Sequence, residues 1–346
     1  MAEVSETTAG VLGQAGEKAR WAVLGPGTIS ADFAVGLAQS DLGVLHAVGS
    51  SSPERAEAFA ATHGASVTGN YEEILARSDV DAVYIGTVHP AHLAQATAAL
   101  DAGKAVLCEK PLTTSYQDTS ALIAHAQERG VTLVEAFKYR FSPLYHELIR
   151  LLRDGAIGQI HHIDSACSFS MPPHVNEGRL FDPALAGGGI LDVGCYPVSF
   201  AVGLAGALGQ GVGEGAAQVR SAVGTIGQTG VDEWASGIFE LGAITATLRT
   251  GIRMDSPDLL TIHGSAGRID VPGVWGTRRA TGSSAVLHRL GRESVEIETA
   301  SVDPFAAEAD GLVRALRAAQ LQAPEMPWAD SALTARLLQE WRDHLS

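Results

Sequence analysis

Cysteine and basic side chains are both scarce in this chain. Its 346 residues include three cysteines, Cys108, Cys167 and Cys195, at spacings that suit neither a metal site nor a disulfide framework, and such a sparse set indicates a reducing compartment. Lysine and arginine number 24 against 39 aspartates and glutamates, which gives a formal charge of −15. This balance excludes a generally basic surface, and with it a nucleic-acid or anionic-membrane partner, but it allows a local basic pocket for a phosphate.

Long apolar runs and targeting patterns are missing too. The longest apolar stretch, residues 198–208, is too short and too rich in glycine to span a bilayer. Residues 1–19 contain no basic segment followed by an apolar one, so we expect a flexible leader there rather than a secretory signal. These features predict a soluble, cytoplasmic protein, and its length suits about two domains.

Short apolar runs alternate with helical segments through the first half. The predicted strands cover residues 20–24, 44–50, 80–86, 105–108 and 131–135, and the predicted helices cover residues 31–39, 53–63, 90–102 and 115–129. Strict alternation with short loops predicts a doubly wound parallel sheet of the α/β Rossmann type, in a domain over residues 20–140. Ligands of such sheets bind at the carboxyl ends of the strands.

The second half loses this alternation. Its predicted strands cover residues 159–170, 218–227, 234–241, 244–250, 259–263 and 285–290, and its predicted helices cover residues 144–154, 303–319 and 329–344. Most of these strands are separated by glycine-rich turns without a parallel crossover, which favours an antiparallel sheet. We therefore predict an α+β domain with a large, mostly antiparallel sheet over residues 141–346, which binds substrate and forms oligomers.

A glycine-rich turn, residues 25–30 (GPGTIS), follows the first predicted strand. Gly25 permits a tight turn and Gly27 lets the backbone approach a pyrophosphate, while the helix start at Thr28 and Ile29 offers free N–H groups. A lone Gly-x-Gly is also an ordinary turn. Further polar residues stand at other strand ends: Ser50, Thr87 and Lys110. Together they predict a dinucleotide at this edge of the sheet.

The end of the second strand favours NADP over NAD. NAD-specific sites usually place an acid there to bind the ribose hydroxyls, but this chain has serines at residues 50–52. No carboxylate would repel a 2′-phosphate, the hydroxyls of Ser50 and Ser51 could bind it, and Arg55 lies one helical turn further on. The alternative is that Ser52 merely caps the next helix.

Lys110 stands at the tip of the fourth strand, directly after Glu109 and before Pro111. A lysine facing a cofactor crevice can exchange a proton with a substrate oxygen, and desolvation or an oxidised nicotinamide nearby would lower its pKa toward neutrality. Glu109 is predicted either to pair with Lys110 or to contact the cofactor. The competing interpretation is an exposed charged pair in a surface turn.

Residues 101–112 (DAGKAVLCEKPL) resemble the AGKHVLCEKP signature of the Gfo/Idh/MocA oxidoreductases. Four further segments resemble that family in the same order: residues 21–30, 52–59, 87–92 and 187–196. The resemblance implies NAD(P)-dependent oxidation or reduction of sugars or related alcohols, with Lys110 as catalytic acid/base and a cofactor-binding segment that includes His89 and His92. It also implies a homo-oligomer, a dimer or tetramer, that associates through the open sheet.

Tyr196 stands where the family more often has histidine, and this is typical of the subgroup that contains dimeric dihydrodiol dehydrogenases and NADP-dependent D-xylose 1-dehydrogenases. We predict that Tyr196 and Lys110 act together, the ammonium lowering the pKa of the tyrosine. Asp192, four residues earlier and on the same helix face, would orient substrate hydroxyls or tune Lys110. The alternative is a helix cap for Asp192 and interface packing for Tyr196.

Arg140, Phe169 and Trp234 complete the predicted substrate site. Arg140 could bind substrate or cofactor and the two rings could line a pocket, although a salt bridge for the arginine and core packing for the rings are equally good or better interpretations. No metal is expected, because His89 and His92 lack a third ligand.

The leading hypothesis is hydride transfer between a nicotinamide and the hydroxyl or carbonyl carbon of a sugar or small cyclic polyol. The alternatives are a dinucleotide-binding sensor without chemistry, and a hydrolase or lyase that uses the cofactor transiently.

Overall fold

A computed structural model describes residues 17–210 and 215–345 of the protein. A six-stranded parallel sheet forms the first half. Its strands are β1 (Ala19–Leu24), β2 (Gly43–Gly49), β3 (Val67–Gly69), β4 (Ala82–Ile85), β5 (Ala105–Glu109) and β6 (Leu133–Ala136). Its helices are α1 (Thr28–Leu37), α2 (Pro53–His63), α3 (Tyr71–Leu75), α4 (His92–Asp101) and α5 (Tyr116–Arg129). The strand order β3-β2-β1-β4-β5-β6 confirms the predicted doubly wound sheet.

The sequence analysis missed β3 and α3. A strand of three residues and a helix of five carry too little periodicity to be recognised. A local signal for α3 was nevertheless present, because Asn70 and Glu73 have the spacing of a capping box. The Asn70 side chain accepts a hydrogen bond from the backbone of Glu73, and the Glu73 carboxylate accepts one from the backbone of Asn70.

Most of the predicted leader, residues 1–19, lies outside the described residues. Its last residue, Ala19, already belongs to β1 and is fully buried, as is Trp21 two residues later. The first strand therefore begins one residue earlier than predicted.

An eight-stranded sheet forms the second half. Its strands are β7 (Ile160–Ser168), β8 (Ala217–Ile226), β9 (Asp232–Leu241), β10 (Ile244–Gly251), β11 (Leu259–Gly264), β12 (Gly267–Pro272), β13 (Ser284–Arg289) and β14 (Val295–Glu298). In the order β14-β13-β12-β11-β7-β10-β9-β8, all neighbours are antiparallel except β7 and β10. The mostly antiparallel sheet is confirmed, although β12 and β14 were not predicted.

One face of this sheet is covered and the other is open. Helices α7 (Cys195–Ala207) and α9 (Trp328–Asp343) cover the first of these faces, and α6 (Pro143–Arg153) packs against α7. Helix α8 (Pro304–Arg317) instead packs against α1, β2 and β5 of the first half. On the covered side Trp341 of α9 packs edge-on against Phe239, with ring centroids 5.1 Å apart. On the open side Val223 and Ile238 remain 64% and 46% exposed.

The stretch Pro183–Ala207 is the single helical one, within the described ranges, that is long and apolar enough to cross a membrane. It is longer than the apolar run 198–208 because helical turns precede that run. Within the most apolar 18 residues of this stretch, 78% is buried inside the fold, as expected for a core helix of a globular protein.

The two C-terminal helices contact both halves of the molecule. Helix α8 packs against α1, and α9 packs against both α5 and α7. Between them, the backbone N–H of Leu133 in β6 donates to the carbonyl oxygen of Leu321, and the Trp328 indole donates to the carbonyl oxygen of Leu133. The end of the chain thus fixes the two sheets to each other.

Arg140 is buried at the centre of this junction, with 1% of its surface exposed. Its guanidinium pairs with Asp330 at 2.5 Å and donates to the backbone oxygens of Ser199 and Glu325 and to the hydroxyl of Tyr139. Every donor direction is used inside the protein. The salt-bridging interpretation of Arg140 therefore holds, and the predicted contact with substrate or cofactor does not.

We expect Arg140→Met to lower the free energy of unfolding by about 3–5 kcal/mol, because it leaves Asp330 as an unpaired, largely buried charge. Urea unfolding followed by circular dichroism measures this. The double variant Arg140→Met/Asp330→Leu should recover much of the loss, because it removes both charges. If the Arg140→Met variant were as stable as the wild type but had a raised KM, that result would instead support a substrate-binding role for Arg140.

Candidate active site

A crevice of about 530 Å³ lies at the carboxyl ends of the first sheet and is closed on one side by residues of the second half. Ten predicted cofactor residues border it: Gly25, Gly27, Thr28, Ile29, Arg55, Thr87, His89, His92, Glu109 and Lys110. Asp192 borders it from the second half. The sheet edge thus brings together most of the site that the sequence predicted.

The glycine-rich turn fits a pyrophosphate. Gly25 has a φ of +84°, and a Cβ there would collide with Thr87. Gly27 is the N-cap of α1, where no side chain caps the helix, and an added Cβ would meet nothing nearer than the carbonyl oxygen of Gly86 at 4.0 Å. The first turn of α1 also lacks an acidic residue. Open backbone at an uncapped helix start is what an anion needs, so these residues suit the dinucleotide.

The departure from the usual fingerprint, Ser30, has a structural explanation. Its hydroxyl donates a 2.6 Å hydrogen bond to the carbonyl oxygen of Gly25, and its side chain occupies the space beside Gly86. Ser30 is completely buried. It therefore supports the turn from behind and leaves the crevice side of the turn to backbone.

The serine run divides its tasks. Ser52 is the N-cap of α2 and accepts the backbone N–H of Arg55, as the capping alternative proposed. Ser50 is buried and accepts the N–H of Ser52, while Ser51 accepts a hydrogen bond from the Arg55 guanidinium at 3.2 Å. Of these residues only Arg55 borders the crevice. Ser50 and Ser51 thus do not border the crevice, whereas Arg55, which was predicted together with them, does border it and is held by Ser51.

Lys110 lies where the two halves meet. Its ammonium donates a 2.5 Å hydrogen bond to the backbone carbonyl oxygen of Asp192 and lies 3.9 Å from the Asp192 carboxylate. The same nitrogen lies over the ring of Tyr196, 5.2 Å from the centroid. The side chain of Lys110 is only 13% exposed. The structure therefore brings the three predicted catalytic residues together, and it excludes an exposed surface pair.

Glu109 supports the backbone of Lys110 rather than its ammonium. One carboxylate oxygen accepts the Tyr84 hydroxyl at 2.7 Å, and the other accepts the backbone N–H of Lys110 at 3.2 Å. Glu109 is buried at the rim of the crevice. Its position fixes the end of β5 just where Lys110 leaves the sheet.

The pKa of Lys110 moves against the expectation from desolvation alone. Burial disfavours the ammonium, but the surrounding Cys195, Asp192 and Glu109 side chains outweigh it and raise the pKa above its ordinary value. Without cofactor the residue is therefore an ammonium at neutral pH. The predicted lowering would need the positive charge of an oxidised nicotinamide.

Asp192 lies in a single turn of π-helix, Ile190–Gly194, directly before α7. Burial favours its neutral form, but Lys110 and Arg179 outweigh burial and lower its pKa. Arg179 donates to the carboxylate at 2.8 Å. A π-helical turn is often found at functional sites, and here it aims both a carbonyl oxygen and a carboxylate of one residue at Lys110.

Tyr196 is a neutral phenol in this site. Burial raises its pKa well above 10, and the nearby Glu109 adds to the shift. The predicted lowering by Lys110 is therefore wrong, because the ammonium contacts the ring face rather than stabilising a phenolate. Contact with the ring instead provides a cation–π interaction.

The two histidines hold loops together. His92 is fully buried, with one ring nitrogen 2.9 Å from the carbonyl oxygen of Pro111 and the other 3.2 Å from that of Thr87. His89 contacts the carbonyl oxygen of Ala186, and burial together with Lys110 lowers its pKa to about 3. Both rings border the crevice, but the nitrogens named above contact backbone carbonyl oxygens. Within the described residues no His, Cys, Asp or Glu cluster could hold a metal.

Two predicted substrate residues lie elsewhere. Phe169 packs in a small cluster with Phe181, outside the residues that border the crevice. Trp234 pairs with Thr225 on β8 and therefore shares the open face of the sheet with Val223. Their aromatic character could not reveal which face of the fold they occupy.

Sequence reasoning missed four crevice residues whose side chains can form hydrogen bonds: Tyr71, Gln95, Arg179 and Arg278. Gln95 accepts the hydroxyl of Thr87 at 2.8 Å. Arg179 and Arg278 reach the site from loops of the second half, where no local pattern marks them. Only the tertiary fold brings them to this edge.

Comparison with known proteins gives concordant results. Residues 19–137 match the family described as "Oxidoreductase family, NAD-binding Rossmann fold", and residues 145–270 match the "GFO/IDH/MocA C-terminal domain". A trans-1,2-dihydrobenzene-1,2-diol dehydrogenase of Xenopus laevis is 32% identical over 94% of this chain and 98% of its own length. A D-xylose 1-dehydrogenase (NADP(+)) of Haloferax volcanii is 35% identical over 68% of this chain and 70% of its own.

A solved structure agrees in fold over nearly the whole chain. It is a tyrosine-to-phenylalanine variant of a 3-ketoreductase from Actinomadura kijaniata in complex with TDP-benzene and NADP, with a TM-score of 0.83 at 25% identity, covering 95% of this chain and 98% of its own. With both family domains matched in order and a relative 32% identical over almost its full length, the chain belongs to the GFO/IDH/MocA oxidoreductase family.

Proposed function

We propose that the protein transfers hydride between NADP and the hydroxyl or carbonyl carbon of a sugar or small cyclic polyol, with Lys110 as proton donor and acceptor. The observation that carries the proposal is the Lys110 ammonium, which borders the crevice, donates to the backbone of Asp192 and lies over the ring of Tyr196. A sensor without chemistry would have no use for a buried, oriented cation there, since burying a charge is costly.

Proton transfer accounts for the arrangement around Lys110. Bound NADPH supplies the hydride in reduction, and bound NADP accepts it in oxidation. In reduction the substrate oxygen takes a proton from Nζ of Lys110 as its carbon gains the hydride. In oxidation the hydroxyl proton passes to neutral Lys110 as the carbon loses the hydride. The raised pKa keeps Lys110 protonated at neutral pH without cofactor, which is the form that reduction starts from.

Tyr196 and Asp192 have supporting roles in this proposal. The neutral phenol of Tyr196 donates a hydrogen bond to the substrate oxygen, while its ring stabilises the ammonium. The carbonyl oxygen of Asp192 orients Lys110, and its carboxylate, held by Arg179, accepts hydrogen bonds from neighbouring substrate hydroxyls. A vicinal diol or a sugar offers hydroxyls next to the reacting carbon, and relatives are named for a diol and for D-xylose.

The preference for NADP has three supports. The crevice carries Arg55, but no acid, beside the end of β2. The charges that border the crevice also favour a phosphate, because basic side chains outnumber acidic ones there although the chain as a whole is acidic. The basic residues are Arg55, Lys110, Arg179 and Arg278, and the acidic residues are Glu109 and Asp192. A relative and a solved neighbour are named with NADP.

The proposal extends to a cytoplasmic homo-oligomer. The open face of the second sheet exposes Val223 and Ile238, which supports association with a second copy. The three cysteines are free and buried, in accord with a reducing compartment.

Replacement of Lys110 by methionine should lower kcat about 10²- to 10⁴-fold, since it removes the proton donor from a site of similar shape. The Kd for NADPH should change only a few-fold. Steady-state rates with the best substrate of a sugar and diol screen, together with fluorescence titration of NADPH, measure the two effects.

Lys104→Met is the matched control. Lys104 is a buried lysine at the other end of β5 and donates to the carbonyl oxygens of Arg77 and Val80. Its loss should reduce thermal stability and leave turnover nearly unchanged. Near wild-type turnover in Lys110→Met would refute the assignment, and product formation without net cofactor oxidation or reduction would point to the hydrolase or lyase alternative.

The pH dependence of the reaction rate distinguishes the role of Lys110 from that of Tyr196. Ammonium is the active form in reduction, so the rate should stay level through neutral pH and fall only as pH rises through the raised pKa of Lys110. The rate of oxidation should rise with pH. Tyr196→Phe should lower kcat about 10- to 100-fold, the effect of one lost hydrogen bond to a charged group, and keep the shape of both profiles. A reduction rate that already falls between pH 6 and 8 would contradict the role of Lys110.

A further inference from the structure

The loop between β12 and β13 carries two neighbouring arginines to the first domain. Arg278 and Arg279 both pair with Asp32 in α1, at 2.7 Å and 2.9 Å. Asp32 is 8% exposed, so two cations of the second half share one buried carboxylate of the first. One arginine would be enough to neutralise it.

The two arginines are not equivalent. Arg279 makes two hydrogen bonds to Asp32, one to the carboxylate and one to the backbone oxygen at 3.0 Å, and it does not border the crevice. Arg278 makes a single bond to the carboxylate, borders the crevice, and has a side chain that is 62% exposed. Arg278 can therefore leave Asp32 while Arg279 keeps it paired.

The charges that border the crevice form two groups. Lys110 and Arg179 lie beside the carboxylates of Glu109 and Asp192, so their charge is matched locally. Arg55 has no ion pair with an acid in the part of the chain that the structure describes, and the acid of Arg278 is already paired by Arg279. Arg55 and Arg278 are thus the crevice cations with charge left for a ligand.

We propose that Arg278 determines specificity for NADP, by leaving Asp32 to bind the 2′-phosphate together with Arg55. The inference rests on the proposed preference for NADP. The pyrophosphate already has a partner in the uncapped start of α1. Arg55 lies beside the end of β2, where the ribose binds in this type of sheet, so a phosphate on that ribose is the anion that remains to be neutralised. Arginine suits the task because its planar fork binds phosphate in a bidentate manner.

In this arrangement both domains contribute to the choice between NADP and NAD. With NADP, Arg278 bridges the second half to the ligand while Arg279 still bridges it to α1. With NAD, no phosphate draws Arg278 away, and it stays with Asp32. The loop would therefore discriminate the two dinucleotides without a repelling acid.

Titration of the enzyme with NADPH and NADH tests the proposal directly. Arg278→Ala should raise the Kd for NADPH about 10- to 100-fold, the effect of losing a charge-assisted hydrogen bond to a phosphate, and change the Kd for NADH no more than about threefold. The salt dependence of NADPH binding should also weaken in the variant, because one ionic contact is gone.

Arg279→Ala is the matched comparison, since it alters the same loop and the same carboxylate but not the crevice. It should lower the melting temperature and raise the Kd for NADPH, by less than Arg278→Ala does, because Arg278 must then leave Asp32 without its second arginine; the Kd for NADH should stay within about threefold. Asp32→Asn should retain or tighten NADPH binding, because it releases Arg278.

Three results would overturn the proposal: unchanged NADPH affinity in Arg278→Ala, equal weakening of NADPH and NADH binding in that variant, or tighter NADPH binding in Arg279→Ala. These are binding measurements, so they stand apart from turnover. An inactive substrate screen with selective NADPH loss in Arg278→Ala would leave the specificity assignment intact and reject the proposed reaction.

Discussion

The contact between Lys110 and Asp192 is the constraint around which the site is built. A cation buried at the end of β5 is costly unless an oxygen and a negative charge lie beside it, and the π-helical turn of the second half supplies both from one residue. Glu109, bonded to Tyr84, fixes the backbone from which Lys110 extends. Neither half of the chain could present this ammonium alone, so the chemistry depends on the packing of two sheets.

The fold was predictable wherever local signals agree. Helices α4 and α5 are followed by Gly103 and Gly130, both in the left-handed region, and strands β5 and β6 begin within three residues of these glycines. Such punctuation revealed the alternation of the first sheet. Strand β3, of three residues, was missed because it contains too few residues for a pattern, and its pairing with β2 stabilises it instead.

The site residues likewise divide into those that local sequence signals identified and those that they did not. Gly25 and Lys110 were identified because turns and strand ends are local features of the sequence. Arg140 and Trp234 were misplaced, since a sequence does not tell which side of an element faces a cavity. The direction of the Tyr196 pKa was misjudged because burial outweighs a cation that touches only the ring. Arg179 reaches the crevice through tertiary structure alone.

The shared C-terminal helices limit how the molecule can move. A hinge opening between the two sheets would separate α8 from α1 and break the bond from Leu133 to Leu321, at the expense of buried packing. Exchange of a dinucleotide is therefore left to the surface loops that carry Arg179 and Arg278, whose side chains are about half or more exposed. In such a molecule we expect the rate of cofactor release to depend on how readily these two arginine side chains exchange partners, and ionic strength becomes a control on that rate.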